Sequence, residues 1–286
     1  MFTEAENDAC ARLVEWAIRE DLGPAGDITS RTLLPADLRG RAQFVQRSAG
    51  VTAGLSAAEA TLESIDRSLQ FEAQVADGSL ARPGQVLATV SGSLRSMLTA
   101  ERVALNFLQR LSGVATLTRK YVEAVAGLPV VILDTRKTTP GWRLLEKYAV
   151  RMGGGKNHRM GLYDGVLIKD NHLAALGDDV VVAVQRARHE LRGMRIECEV
   201  DTLEQLRRLL PVRPDIVLLD NMSNEQLREA VQLRNELGAG ILLEASGGVN
   251  LTTVRGIAET GVDRISVGAL THSAVAQDIA LDYVPM

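Results

Sequence analysis

From residue 131 to residue 267 the chain repeats one pattern: a short apolar run ending in polar residues, then a segment of helical periodicity. The apolar runs fall at 131–134, 165–169, 194–200, 215–219, 240–245 and 262–267, with helical segments at 142–150, 173–191, 202–210, 223–237 and 250–260. Continuous apolar strands separated by helices make parallel sheets, because a parallel connection needs a crossover long enough to hold a helix. The pattern predicts an α/β fold, a reduced (incomplete) parallel α/β barrel, with its chemistry at the carboxyl ends of the strands. Six such units fall short of the roughly eight of a complete barrel, so a further element that the sequence does not identify is expected to close it. A doubly wound open sheet is the competing architecture, but no Gly-x-Gly-x-x-Gly follows the first strand.

The strand ends carry Asp134, Thr135, Arg136 and Lys137, then Lys169 and Asp170, Glu197 and Glu199, Asp220 and Asn221, Glu244 and Ser246, and Ser266 and Gly268. The loop between the first two ends adds Gly153, Gly154, Gly155, Lys156, Asn157, His158 and Arg159. If those strands are parallel neighbours, Arg136, Lys137, Lys156, His158, Arg159 and Lys169 converge on one rim. In a chain of formal net charge −4, that concentration of cations calls for a polyanionic ligand to relieve it. A solvated basic loop is the alternative that spacing leaves open. The last two ends, Ser246, Gly247, Gly248 and Val267, Gly268, Ala269, are late-strand positions where barrels bind phosphate through backbone N–H groups. Between them, Glu199 and Asp220 can accept from ribose hydroxyls or hold Mg2+, which takes oxygen ligands. A phosphorylated sugar satisfies this layout.

Before residue 131 the periodicity differs. Residues 4–20 place Ala9, Leu13, Val14, Ala17 and Ile18 at helical spacing behind acidic residues, an amphipathic opening helix. DLGPAGDITS reads as a turn-rich connector. RAQFVQR, GVTAGL, LQFEAQV and GQVLATVSG read as short strands around a helix, SAAEATLESI, a smaller α+β open-sandwich domain. Residues 98–126 form a long helix, or a pair broken near Gly113. The expected division is 1–112 for this domain, 113–271 for the barrel, and a tail, 272–286, packed with the first.

Composition excludes several classes. No basic tract lies outside the loop region, which argues against nucleic-acid binding, and no run of about 18 apolar residues exists to span a membrane. The acidic start lacks a secretory leader pattern, so a cytoplasmic protein is expected. Cys10 and Cys198 form no disulfide framework, and Cys198 reads as a core filler. ADGSLARPGQVLATVSG is similar to carrier-domain hairpins, but residues 70–100 contain no lysine to modify.

Long ordered strings carry a more specific likeness: ERVALNFLQRLSG, DTRKTTPG, GGGKNHR, LIKDNH, ECEVDTLEQL, DIVLLDNM, LEASGGVN and DRISVGALTHS. Together they resemble the quinolinate phosphoribosyltransferases, also called carboxylating nicotinate-nucleotide pyrophosphorylases, over nearly the whole chain. The resemblance implies transfer of phosphoribose from 5-phosphoribosyl-1-pyrophosphate to quinolinate, giving nicotinate mononucleotide, pyrophosphate and carbon dioxide, with Mg2+ required. It assigns the two carboxylates of quinolinate to Arg136, His158, Arg159 and Lys169, with Arg102 reaching in from a partner chain, so a homodimer or higher homo-oligomer is implied. Thr135 joins the substrate contacts. Lys137 and Mg2+ would stabilise the departing pyrophosphate; Glu199 and Asp220 would hold the ribose and the metal; the late glycine-containing ends would hold the phosphate. A nicotinate phosphoribosyltransferase and a molybdate-operon paralogue are the near relatives with a different substrate.

Overall fold

The computed structural model describes residues 2–284. In chain order its first elements are α1 (Glu4–Leu22), α2 (Ile28–Leu33), β1 (Arg39–Gln46), β2 (Gly50–Val51), α3 (Leu55–Ile65), β3 (Gln70–Ala73), β4 (Leu80–Ala81), β5 (Val86–Ser93) and α4 (Leu94–Ala124). There follow β6 (Val131–Leu133), α5 (Arg143–Met152), β7 (Val166–Ile168), α6 (Asp170–Ala174), α7 (Val180–Glu190), β8 (Ile196–Val200), α8 (Leu203–Leu209) and β9 (Ile216–Asp220). The chain ends with α9 (Asn224–Leu237), β10 (Leu242–Ser246), α10 (Val254–Ala258), β11 (Arg264–Ser266), α11 (Ala269–His272) and β12 (Ile279–Val284). These elements fall into two compact units. One holds the chain through Arg119, Thr138–Gly154 and the residues from Leu270 on; the other holds Lys120–Lys137 and Gly155–Ala269.

In the first unit an antiparallel sheet runs β12-β1-β5-β3. Alternation along β1 turns Ala42 and Phe44 inward, where they pack with Leu62, Leu87, Val90, Met97, Leu105 and Leu108. The tail reaches this sheet as β12, in register from Arg41–Val284 to Gln46–Ile279. α4 is one unbroken helix of 31 residues, not a pair. Gly113 does not break it. Its missing side chain is needed because a Cβ there would stand 2.2 Å from the Val275 carbonyl oxygen. DLGPAGDITS is more than a connector, since the Asp27 side chain accepts from Ser30 N at 2.8 Å and caps α2. The expected strand in GVTAGL shrinks to β2, which pairs with β4, a strand the pattern did not reveal.

Residues 113–119 and 138–154 also lie in this unit rather than in the barrel where the domain boundary placed them. The reason is a buried carboxylate. Glu146 on α5 is fully buried and accepts from Arg110 Nη2 (2.6 Å), Thr139 Oγ1 (2.9 Å) and Thr139 N (3.0 Å). Trp142 stacks on Phe107 with ring centroids 4.7 Å apart, and Tyr148 donates to Asp77 at 2.7 Å, the residue whose carboxylate receives the N–H groups of Gly54 and Leu55. A buried charge left without these partners would cost several kcal/mol, roughly 3–5, so α5 stays with its partners.

The second unit is the reduced barrel. Its six strands are all parallel in the order β6-β11-β10-β9-β8-β7. Beyond β6 the sheet is extended by a single residue: Lys156 donates to Ile132 O (2.9 Å) and accepts from Asp134 N (3.2 Å), a one-residue parallel bridge. Paired residues in adjacent strands face the same side. One face, with Cys198, Val217, Leu243, Ala245 and Ile265, is apolar and buried. The other, which lines the interior of the barrel, carries Glu197, Glu199, Leu218, Asp220, Glu244, Ser246, Arg264 and Ser266. A barrel interior of that polarity is not a simple core.

Candidate active site

The polar interior divides into two storeys. The upper one lies at the carboxyl ends of the strands. Glu199, Asp201 and Asp220 each present a carboxylate oxygen there, and the three oxygens lie within 4.8 Å of one another. Glu199 and Asp201 share a side because they are two residues apart on β8 and its extension, and Asp220 ends β9 beside them. Lys169, just past β7, gives its ammonium to Glu199 Oε2. Three carboxylates against one lysine leave this storey short of positive charge.

The end of β9 is tightly built. Asn221 holds a positive φ of 53°, which asparagine tolerates better than most residues, donates its N–H to Ser246 O (2.9 Å) and its amide to Asp220 (2.6 Å). Gly247 follows with φ 89°, and a Cβ on it would meet the Asn221 side chain at 2.1 Å. Gly248 is also left-handed, at φ 61°. At the end of β11 the N–H of Val267 is already given to Leu133 O (2.9 Å), so that group holds the sheet together and is not free for a phosphate.

The lower storey is nearer the strand starts. Here the structure departs from a strand-end reading of Glu197 and Glu244, which lie within β8 and β10 and are buried. His158 Nε2 lies 3.1 Å from Glu197 Oε2 and 3.3 Å from Glu244 Oε1, and Arg264 Nε lies 3.0 Å from Glu244 Oε2. The Arg159 main-chain N–H donates to His158 Nδ1 at 2.7 Å, so in this arrangement the ring proton sits on Nε2. Burial pushes the His158 pKa down, but the hydrogen bonds to Glu197 and Glu244 outweigh it and raise it to about 9. Burial likewise pushes Glu197 upward, against the lowering influence of His158.

His158 is delivered to this place by Asp134. That fully buried carboxylate ends β6 and accepts from Asn157 Nδ2 (2.6 Å) and His158 N (2.8 Å). Together with the Lys156 bridge, it pins the loop to the barrel wall. Arg159 donates from Nη1 to Gly165 O at 3.1 Å, and its pKa is lowered by burial and by the nearby Arg136 charge. His158, Arg159, Arg195, Glu197 and Arg264 line a cavity of about 300 Å3.

Arg136 is near enough for its charge to act on Arg159, His158 sits beside Arg159, and Lys169 instead faces the carboxylates above. Thr135 is half-buried and accepts from Lys137 N (3.1 Å), while the Lys137 side chain is exposed. Gly268 and Ala269 are half-buried after β11. Arg102 is exposed on α4 in the first unit and makes no salt bridge among the described residues. The glycine run divides its duties. Gly153 serves packing in the first unit, where a Cβ would come within 2.5 Å of Ala115 O, and Gly154 takes φ 93°. Asp201 and Arg264 were not singled out from sequence. The first was within reach, since Glu197, Glu199 and Asp201 repeat at the period of a strand face. Cys198 is buried on the opposite face, where burial pushes its thiol up to about 12.

Comparison with known proteins agrees with this architecture. Residues 27–112 match the family model "Quinolinate phosphoribosyl transferase, N-terminal domain", and residues 114–282 match the corresponding C-terminal domain. A carboxylating nicotinate-nucleotide pyrophosphorylase of Mycobacterium leprae is 44% identical over 99% of this chain and 100% of its own length. A probable enzyme of the same name from Bacillus subtilis is 41% identical over 95% of this chain and 92% of its own. Among solved structures, the nicotinate-nucleotide pyrophosphorylase from Francisella tularensis superposes with a TM-score of 0.91 at 38% identity, covering 97% of each chain.

Proposed function

The chain belongs to the quinolinate phosphoribosyl transferase family, and from that premise we infer that it transfers phosphoribose from 5-phosphoribosyl-1-pyrophosphate to quinolinate with loss of one carboxylate as carbon dioxide. The observation that carries this reading is that one α/β unit holds both a carboxylate cluster (Glu199, Asp201, Asp220) and a cavity lined by the cations His158, Arg159 and Arg264. The first suits a cationic, metal-bound sugar; the second suits a dianion.

The chemistry follows from charge. The pyridine nitrogen attacks the anomeric carbon as pyrophosphate leaves, so positive charge grows on the ribose. Glu199 and Asp220 stabilise that charge and accept from the ribose hydroxyls, and Lys137 meets the negative charge of the departing pyrophosphate. Arg136 and Arg159 hold quinolinate by its carboxylates, with His158 beside them. Lys169 ties Glu199 down until substrate arrives, then becomes free to face a carboxylate. Glycosylation makes the ring nitrogen cationic, which drains electrons from the adjacent carbon-carboxylate bond; that carboxylate leaves as carbon dioxide and a proton from water replaces it. No nucleophilic side chain is required.

An all-oxygen donor set of three clustered carboxylates fits Mg2+, and Glu199, Asp201 and Asp220 would hold it. When bound, it would neutralise pyrophosphate charge during departure. The strand-end groups of Ser246, Gly247, Gly248, Gly268 and Ala269 are read as the phosphate cradle. Arg102, exposed and without a salt bridge among the described residues, is read as completing the site of a second subunit in a homodimer or larger assembly. A cytoplasmic location belongs to the same reading; among the described residues no helix is long and apolar enough to cross a membrane.

The test is direct: incubate the protein with Mg2+, 5-phosphoribosyl-1-pyrophosphate and quinolinate, and follow nicotinate mononucleotide and pyrophosphate. Product from quinolinate is expected. Product only from nicotinate would replace this reading with the monocarboxylate one.

A further inference from the structure

The lower storey does more than fill the barrel. His158 is gripped at both ring nitrogens: Nε2 by Glu197 and Glu244, Nδ1 by the Arg159 main-chain N–H. The two glutamates come from β8 and β10, which flank β9, so the grip depends on the order of strands in the sheet and not on local sequence. Both are buried, their side chains 5% and 0% exposed, which makes a loosely held ring unfavourable. Glu197 Oε1 and both Glu244 oxygens, also buried, have no hydrogen-bond partner among the described residues, so Glu197 is committed to the histidine by its other oxygen and Glu244 is held by the charges of His158 and Arg264. Arg264 balances Glu244 from the far side.

We propose that Glu197 and Glu244 are positioning residues for quinolinate: by holding His158 Nε2 they turn Nδ1 to the Arg159 main-chain N–H and so fix the backbone from which the Arg159 side chain reaches its ligand. A histidine held by carboxylates at one nitrogen presents the other in a defined direction, the arrangement by which such pairs orient metal ligands and catalytic bases. In this chain the presented nitrogen receives a backbone donor. The consequence reaches substrate through Arg159, whose next partner, Gly165 O, is on the opposite side of the same loop. This rests on the quinolinate reading given above.

The experiment uses Glu197→Leu and Glu197→Gln, with Glu244→Gln as a second probe. In Glu197→Leu the KM for quinolinate should rise about tenfold, while that for 5-phosphoribosyl-1-pyrophosphate stays within about twofold. Glu197→Gln keeps an acceptor for Nε2–H and should recover most of the loss. An equal rise in both KM values, or no rise in either, overturns the proposal. Independently of catalysis, 15N-labelled histidine spectra resolve the ring nitrogens of only four histidines. Assigned with His158→Asn, the His158 signals should show a protonated Nε2 in the wild type and shift in Glu197→Gln and Glu244→Gln. Unchanged signals in both variants overturn the clamp even if Glu197→Leu does not fold. A protein inactive with quinolinate but showing those shifts would instead retain the clamp and remove its assigned substrate.

Discussion

The two storeys of the barrel interior use the same residue types to opposite ends. Below, two carboxylates meet an arginine and a histidine, and with the histidine protonated the charges sum to zero. Above, Glu199, Asp201 and Asp220 meet, among the described residues, the single ion-pair partner Lys169, two negative charges in excess. A buried network whose charges balance stiffens the protein; an unbalanced one at a strand end waits for a cation or for a ligand that carries one. The contrast separates what holds the fold from what acts on substrate, although the two lie on the same strands.

The sharpest way to break this comparison is to delete the upper cation. Lys169→Ala should lower kcat/KM by about a hundredfold or more, while the melting temperature moves by no more than a few degrees, roughly 2–4 °C. Steady-state kinetics beside a thermal melt checks both halves; a large fall in stability with little change in rate would reverse the roles of the storeys.

The lower storey should fail the other way. Glu244→Leu leaves Arg264 without its buried partner and should cost about 3 kcal/mol in urea unfolding. Here the stability loss should exceed that of any upper-storey change.

The pH dependence sharpens the contrast further. The folded pKa of His158, about 9, lies above its ordinary 6.5, so its contribution to stability is whole below pH 6.5 and is lost as pH rises through 9. Unfolding free energy should fall across that window by about 3 kcal/mol, and the slope should flatten in His158→Gln. Because a second ring proton must displace the Arg159 N–H from Nδ1, an amplitude well below that measures how firmly this contact holds.

The smallest stability effect is expected at Arg102. Its exposure predicts a change within about 0.5 kcal/mol for Arg102→Ala, yet activity should be lost if the residue serves a neighbouring subunit. Mixing that inactive chain with inactive Lys169→Ala chains should restore about a quarter of wild-type activity if sites are shared across a dimer. No recovery places Arg102 in its own subunit's chemistry or in none.

Much of this was legible in the chain. The alternation of apolar runs and helices predicted the parallel sheet, since buried strands and crossover helices leave periodicities that one sequence displays. Glu199, Asp220 and Lys169 were visible as polar ends to apolar runs. Glu197 and Glu244 were misplaced at the rim because a charged residue in a short apolar run reads as its polar end, whereas Glu197 lies three residues and Glu244 two residues inside the carboxyl ends of their strands. The role of Asp134 was hidden: its partners, Asn157 and His158, lie more than twenty residues away, and no local pattern records such a clamp. The packing of the helix around Glu146 was hidden for the same reason, its arginine partner lying 36 residues upstream.

By itself, the sequence determined the elements, their parallel arrangement and the residue types available for chemistry, because periodicity and local propensity act over a few residues. Only the tertiary structure decided that one residue, Lys156, extends the barrel beyond β6, and that His158 faces two glutamates from separate strands. It also decided which carboxylates are spent inside the fold and which remain for a ligand. Those outcomes are set by register between distant strands, where a shift of one residue would turn every one of these side chains to the apolar face.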